Sequence, residues 1–246
     1  MADYGVLSYD TVIIDMSGLP ASLHFALIQL FLHQSLASGP GRFDGNLIVV
    51  VAEDAAVDER IAPSELGRPS VLTALGRMED PPGTVIWIPV LGAGASEELV
   101  QLREMLKPQE VCPVVPFPSS RSRRGDDLVV EHGEFLFDHM QFEPRNVLYA
   151  SESNPFDLYR QLVLLAQRYR KALAPLGPTT IVASEHGSKP MSLGVLPAAH
   201  DARIVVAQAE PAAYELGSAP EGWSGTPVLH AAWLTGAPYS TESRGA

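Results

Sequence analysis

The sequence is poor in cysteine, in lysine and in long apolar runs, and each shortage excludes something. One cysteine, Cys112, occurs among 246 residues, so an intrachain disulfide framework is ruled out. The first ten residues, MADYGVLSYD, lack the basic start and apolar stretch that secretion requires, and a reducing, cytoplasmic compartment is expected. No apolar run reaches the roughly 18 residues of a membrane-spanning helix, so no membrane association is expected. Positive charge is scarce as well: 17 Lys plus Arg stand against 29 Asp plus Glu, a formal net charge of -12. A general polyanion surface is therefore not expected, and a local basic pocket is favoured over direct nucleic-acid binding. Only Lys107, Lys171 and Lys189 are lysines, which makes each lysine position more informative than in a lysine-rich chain.

Familiar chemical motifs are absent too. The seven histidines form neither HExxH nor a dense Cys/His cluster, and no metal site or cofactor is predicted. GxxxxGK[ST], GxGxxG and G-x-S-x-G do not occur, which excludes a P-loop, a dinucleotide fingerprint and a nucleophile elbow in their usual forms. Cys112, followed by Pro113, reads as a buried small hydrophobe.

What is present is alternation. Short β-branched runs at 11–16, 46–52, 84–90, 145–150, 179–184 and 203–208 are separated by helical stretches. NLIVVVA is apolar throughout, as a strand covered on both faces should be. A helix is expected from about Leu19 to Leu36, another from near Ser96, and a third after Asn154, where Leu158, Leu162, Leu165 and Tyr169 recur at helical spacing. EVCPVVPF at 110–117 carries two prolines and reads as an edge strand or extended connection. The pattern predicts an α/β fold: a Rossmann-like open, mainly parallel sheet of six or seven strands with helices on both faces. One domain over 1–209 is expected. Residues 210–246, rich in Pro and Gly and carrying Trp223, Trp233 and Tyr239, read as an irregular extension with one short strand and a frayed tail.

Ligands of open α/β sheets sit beyond the carboxyl ends of the strands, so those turns hold the candidate residues. Asp15, Ser17 and Gly18 follow the first run; Gly187, Ser188, Lys189 and Ser192 follow the fifth. Each turn combines short hydroxyl side chains with a glycine, and the second adds a cation, the composition of an anion-binding helix entrance. A structural reading is that Ser188 only caps the helix and Asp15 only accepts turn hydrogen bonds. Glu152 reaches toward the same cleft, Asn154 is placed to cap the following helix, and Asp157 and Arg160 lie in its first turns. Arg121, Arg123 and Arg124 form a second basic island, candidate contacts for an anion or partner, with Asp126 and Asp127 beside them as competing neutralisers.

The segment 184-SEHGSKPMSLG-194 resembles the ligand-contacting turn of CARF-type sensor domains. That resemblance implies a Rossmann-like domain that binds cyclic oligoadenylates in prokaryotic antiviral signalling, generally across a homodimer. It assigns Gly187, Ser188 and Lys189 to ligand contact, Met191 to packing, and Asp15, Met16, Ser17 and Gly18 to the loop after the first strand. Here Ser188 stands where the family usually has threonine, and Pro190 follows the lysine. The leading expectation is a binding module for a nucleotide or other anionic small molecule, as a homodimer or a subunit of a complex. One alternative is a scaffold or protein-interaction subunit of a defence complex, anchored by the C-terminal aromatics. Another is a hydrolase or nuclease that brings at least two of Asp15, Asp126, Asp127, Glu152, His186 and Lys189 into one accessible cleft; Mg²⁺ enters only in that reading.

Overall fold

The computed structural model describes residues 5–39, 41–54, 57, 60–72, 77–78, 83–139, 142–209, 211, 213–218 and 227–239. Trp223 and the tail from 240 to 246 lie outside the described residues. In chain order the strands and longer helices are β1 (Thr11–Asp15), α1 (Ala21–Leu36), β2 (Asn46–Glu53), β3 (Ile61–Glu65), β4 (Ser70–Val71) and β5 (Thr84–Val90). Then come α2 (Ser96–Leu106), β6 (Glu110–Val111), β7 (Val114–Pro116), α3 (Arg124–Glu131), β8 (Leu148–Ala150) and α4 (Pro155–Leu173). The series closes with β9 (Thr179–Glu185), α5 (Lys189–Ala202), β10 (Val205–Gln208), β11 (Ala213–Leu216) and β12 (Val228–Thr235). The chain divides into two compact units, Met1–Ala55 with Ser224–Ala246, and Ala56–Trp223.

The larger unit contains a seven-stranded sheet, mostly parallel, ordered β4-β10-β9-β5-β7-β8, with β6 also paired to β5. Counting only its main parallel strands in chain order, β5, β7, β8, β9 and β10 lie as 3-2-1-4-5, the open Rossmann-like arrangement. Its spine is the β5–β9 ladder, in register from Thr84 against Thr179 to Val90 against Glu185. Side chains alternate across the sheet. Val85, Trp87, Val182 and Val205 point into one apolar cluster with Leu99, Leu102 and Leu106 of α2, Leu128 of α3 and Phe135. The alternate residues Ile86, Ile88, Ile181 and Ala183 are buried as well, on the face whose strands meet α4 and α5. Helices thus cover both faces, and the near-continuous apolar runs of β5 and β9 follow from that double burial. No helix of the described residues is long and apolar enough to cross a membrane.

The smaller unit has its own sheet, ordered β1-β2-β12. β1 runs parallel to β2, with Ile14 opposite Val49, and β12 runs antiparallel, with Ala232 opposite the same residue. Leu47, Val49 and Val51 are fully buried on one face, and Phe25, Ile28 and Phe31 of α1 are buried with them in this unit. Phe31 meets Phe43 edge-on at 5.0 Å. On the opposite face the cross-strand row Ile13, Ile48 and Trp233 includes Ile13 at 62% and Trp233 at 40% exposure.

Two expectations change. Runs 11–16 and 46–52 are strands, but they do not enter the sheet of β5 and β9. β12 takes the place beside β2, and an eight-residue pairing partner from the far end of the chain carries no local signal in β2. The 110–117 run is not an edge: β7 lies between β5 and β8. It is only three residues long because Pro113, which has no N–H to donate, interrupts the run between β6 and β7.

The α4–α5 seam offers a stability test. A Cβ at Gly194 would stand 2.5 Å from the Pro155 carbonyl and 3.0 Å from Leu158 Cβ. Gly194→Ala should cost about 1–3 kcal/mol of unfolding free energy despite its better helix propensity, measured by urea denaturation.

Candidate functional site

The carboxyl ends of β5, β7, β8 and β9 lie along one side of the sheet in the larger unit, and their loops carry Ser119, Ser120, Glu152, His186 and Ser188. The loops after β5 and β9 touch through backbone. A Cβ at Gly92 would stand 1.3 Å from the His186 carbonyl oxygen, so only glycine permits the approach, and His186 N donates to the Val90 carbonyl at 3.0 Å.

Four of the expected ligand residues meet around the start of α5. Ser188 is its N-cap, yet its side chain makes no capping hydrogen bond; the hydroxyl lies 3.5 Å from the Glu152 carbonyl oxygen. Capping is therefore not the use of this serine. Gly187 N–H and the Ser192 hydroxyl bond the Glu185 carboxyl, and Lys189 stabilises its charged form. Burial outweighs them and, with help from Glu98, pushes the Glu185 carboxyl up to about 8. Its Oε1 is buried and unpartnered, which a protonated acid tolerates better than a carboxylate.

Glu152, at the end of β8, is engaged from three sides. Its Oε2 accepts from the Ser119 hydroxyl at 2.5 Å and from Ser120 N at 3.3 Å, and its Oε1 stands 2.9 Å from Arg124 Nε. Arg124 is thus neutralised by Glu152, 28 residues on in sequence, rather than by Asp126 or Asp127, which lie exposed in the first turn of α3. Arg121 and Arg123 are exposed. Asn154 caps α4 as expected, accepting from Phe156 N at 3.2 Å.

Two histidines unsuspected as a pair flank the first turn of α2. His186 Nδ1 stands 2.8 Å from Glu98 Oε2 and its Nε2 3.0 Å from Ser184 Oγ, which in turn accepts from Trp87 Nε1 at 2.9 Å. On the other side His132 Nδ1 stands 3.0 Å from Ser96 Oγ and its Nε2 2.8 Å from the Gly92 carbonyl oxygen, while Gly94 N donates to Glu131 Oε1 at 2.6 Å. Sequence reasoning missed Ser96, Glu98, His132 and Glu185. The usable signal was the glycine-rich 91-LGAGAS-96 between β5 and α2.

Asp15, Ser17 and Gly18 belong to the smaller unit. There Asp15 Oδ1 accepts from Ser17 N at 2.9 Å and Ser17 Oγ at 2.6 Å, and Ser17 Oγ accepts from Ala52 N at 2.7 Å. These bonds close the turn after β1 and tie it to β2. Cys112 is buried, as expected, and burial pushes its thiol up to about 11. Among the described residues no group of three or more His, Cys, Asp or Glu is placed to hold a metal ion. A shallow depression lined by Arg103, Glu104, Lys107, Pro108 and His139 includes the last turn of α2, away from these loops. Set against protein-family models and against characterised proteins, the chain matches none.

Glu185 gives the site a pH signature. Its folded pKa lies above the unfolded value, so its stabilising contribution is full below about pH 4.5 and is lost as pH rises through about 8. Glu185→Gln should remove that loss: in thermal melts from pH 5 to 9, the variant gains on the wild type as pH rises. Parallel curves would show that Glu185 is ionised throughout.

Proposed function

We propose that the larger unit is a binding module for an anionic small molecule, of the nucleotide class, held at the amino end of α5. The observation that carries this reading is the Gly187–Ser188–Lys189 turn. Its serine hydroxyl does not cap its own helix, and its lysine is half-buried in the first turn. A helix amino terminus carries partial positive charge, and a lysine adds a point charge for phosphate.

The carboxyls nearby favour this reading despite the acidic chain. Glu185 is mostly protonated at neutral pH, Glu152 is paired with Arg124, and Glu98 is hydrogen-bonded to His186. None of the three is a bare charge facing the turn, so Lys189 sets the local sign. The resemblance of the turn to CARF-type sensors adds a ligand class, cyclic oligonucleotides, and a role, sensing rather than turnover.

The test is binding of a panel of mono-, di- and cyclic oligonucleotides by calorimetry, with thermal denaturation in the same buffer. Lys189→Ala should weaken affinity about tenfold or more, the loss of one charge-assisted contact, and Lys189→Glu should weaken it further. Both variants should melt near the wild type. Equal affinity for a verified ligand in wild type and both variants removes Lys189 from the site.

A further inference from the structure

We infer that Ser96 and His132 form an acyl-transfer site in which Ser96 is the nucleophile, acting on small uncharged esters. The inference stands apart from the Lys189 reading and shares with it only Glu98, here through its backbone N–H.

The direction of the hydrogen bonds follows from their partners. The Gly92 carbonyl can only accept, so the His132 Nε2, 2.8 Å away, carries a hydrogen and donates. In the neutral ring Nδ1 is then a lone pair, and the group 3.0 Å from it is the Ser96 hydroxyl, which donates. A serine whose proton already points at a fixed imidazole lone pair is an activated nucleophile, and the carbonyl behind the ring does the orienting work of a triad's third member. His132 is buried while Ser96 is half-buried, so the base is shielded from water and the nucleophile is reachable.

Ser96 also begins α2, at the carboxyl end of the central strand β5. The N-cap is Ala95, which has no side-chain acceptor, and the first helical hydrogen bond runs from Leu99 N to the Ala95 carbonyl. The N–H groups of Ser96, Glu97 and Glu98 precede that bond and lie at the positive end of the helix, where an oxyanion on the attacked carbonyl would be stabilised. Ala93 and Gly94, just ahead, are small and exposed, and a Cβ at Gly94 would meet nothing within 4 Å. Glu97, exposed beside Ser96, disfavours an anionic acyl group, hence the uncharged ester.

A second serine–histidine–carboxylate chain, Ser184–His186–Glu98, has similar distances but cannot serve. Ser184 is fully buried and its oxygen is occupied by the Trp87 indole N–H.

In the reaction, Ser96 Oγ bonds the ester carbonyl carbon as its proton passes to His132 Nδ1. The carbon–alkoxide bond breaks, and the alkoxide leaves with that proton as an alcohol. Water then attacks the acyl-serine, giving a proton to Nδ1 that returns to Ser96 Oγ as the carboxylic acid departs. Ester and water become acid and alcohol, with no other reactant.

The experiment treats the full chain with p-nitrophenyl acetate, follows p-nitrophenolate release in the first turnover, and maps acetylated peptides by mass spectrometry. Acetyl on Ser96, and release about 100-fold slower in Ser96→Ala, are expected. His132→Gln should slow release about as much while Ser96 remains in place. If His132→Gln fails to fold, Ser96→Ala decides alone, because it only removes a hydroxyl from a half-buried position. Acetyl confined to lysines or the amino terminus, or equal release by wild type and Ser96→Ala, overturns the assignment.

Discussion

The backbone contact between Gly92 and His186 is the constraint on which the strand-end region depends. β5 and β9 are adjacent and in register over seven residues, so the chain leaves both strands at the same level of the sheet. The two loops must then pass each other without side chains between them, and the His186 carbonyl occupies the space that a Cβ of Gly92 would fill. Close passage brings His186 over the first turn of α2 and sets the distance from Ser184 to Glu98. Any larger residue at 92 would separate the loops and, with them, every polar pairing above the sheet.

Those pairings form two hydrogen-bond chains that share the first turn of α2. Trp87, Ser184, His186 and Glu98 make one, running from the buried centre of the sheet to the first turn of α2. Ser96, His132 and the Gly92 carbonyl make the other, anchored by the end of α3. Each bond is worth only about 1 kcal/mol net. Leaving any of these buried donors or acceptors without a partner costs more than the bond supplies, which favours a single arrangement of the loop. Charge is treated in the same way: Arg124 and Glu152 are largely buried together, and Glu185 is held near neutrality by burial.

Much of the fold was legible because it rests on local pattern. Apolar runs at 84–90 and 179–184 are the doubly covered central strands, and the four-residue spacing of Leu158 and Leu162, continued by Ala166, marks the buried stripe of α4. Asn154 before Pro155 reads directly as a helix start, and it is one. The candidate site was legible in part. Gly187, Ser188, Lys189 and Ser192 share the turn and first helical turn after β9, whereas Glu152 follows β8, with β5 and β7 between, and meets them where its carbonyl lies 3.5 Å from the Ser188 hydroxyl. The partner of Arg124 was not legible, since the nearest carboxylates in sequence, Asp126 and Asp127, point along their own helix to solvent.

The sequence by itself determined the central strands and the longer helices, and where the sharp turns between them fall, because those properties depend on side-chain periodicity and on backbone freedom within a few residues; β3, β4, β11 and the short helix α3 carry no such periodicity. Only the tertiary structure decided which strands share a sheet. β12 lies some 180 residues from β2 in the chain, and its pairing there depends on complementary buried faces that no window of sequence contains. The same holds for protonation and hydrogen-bond direction. Glu185 is an ordinary glutamate until burial raises its pKa, and His132 is an ordinary histidine until a carbonyl on one side of its ring fixes which nitrogen faces Ser96.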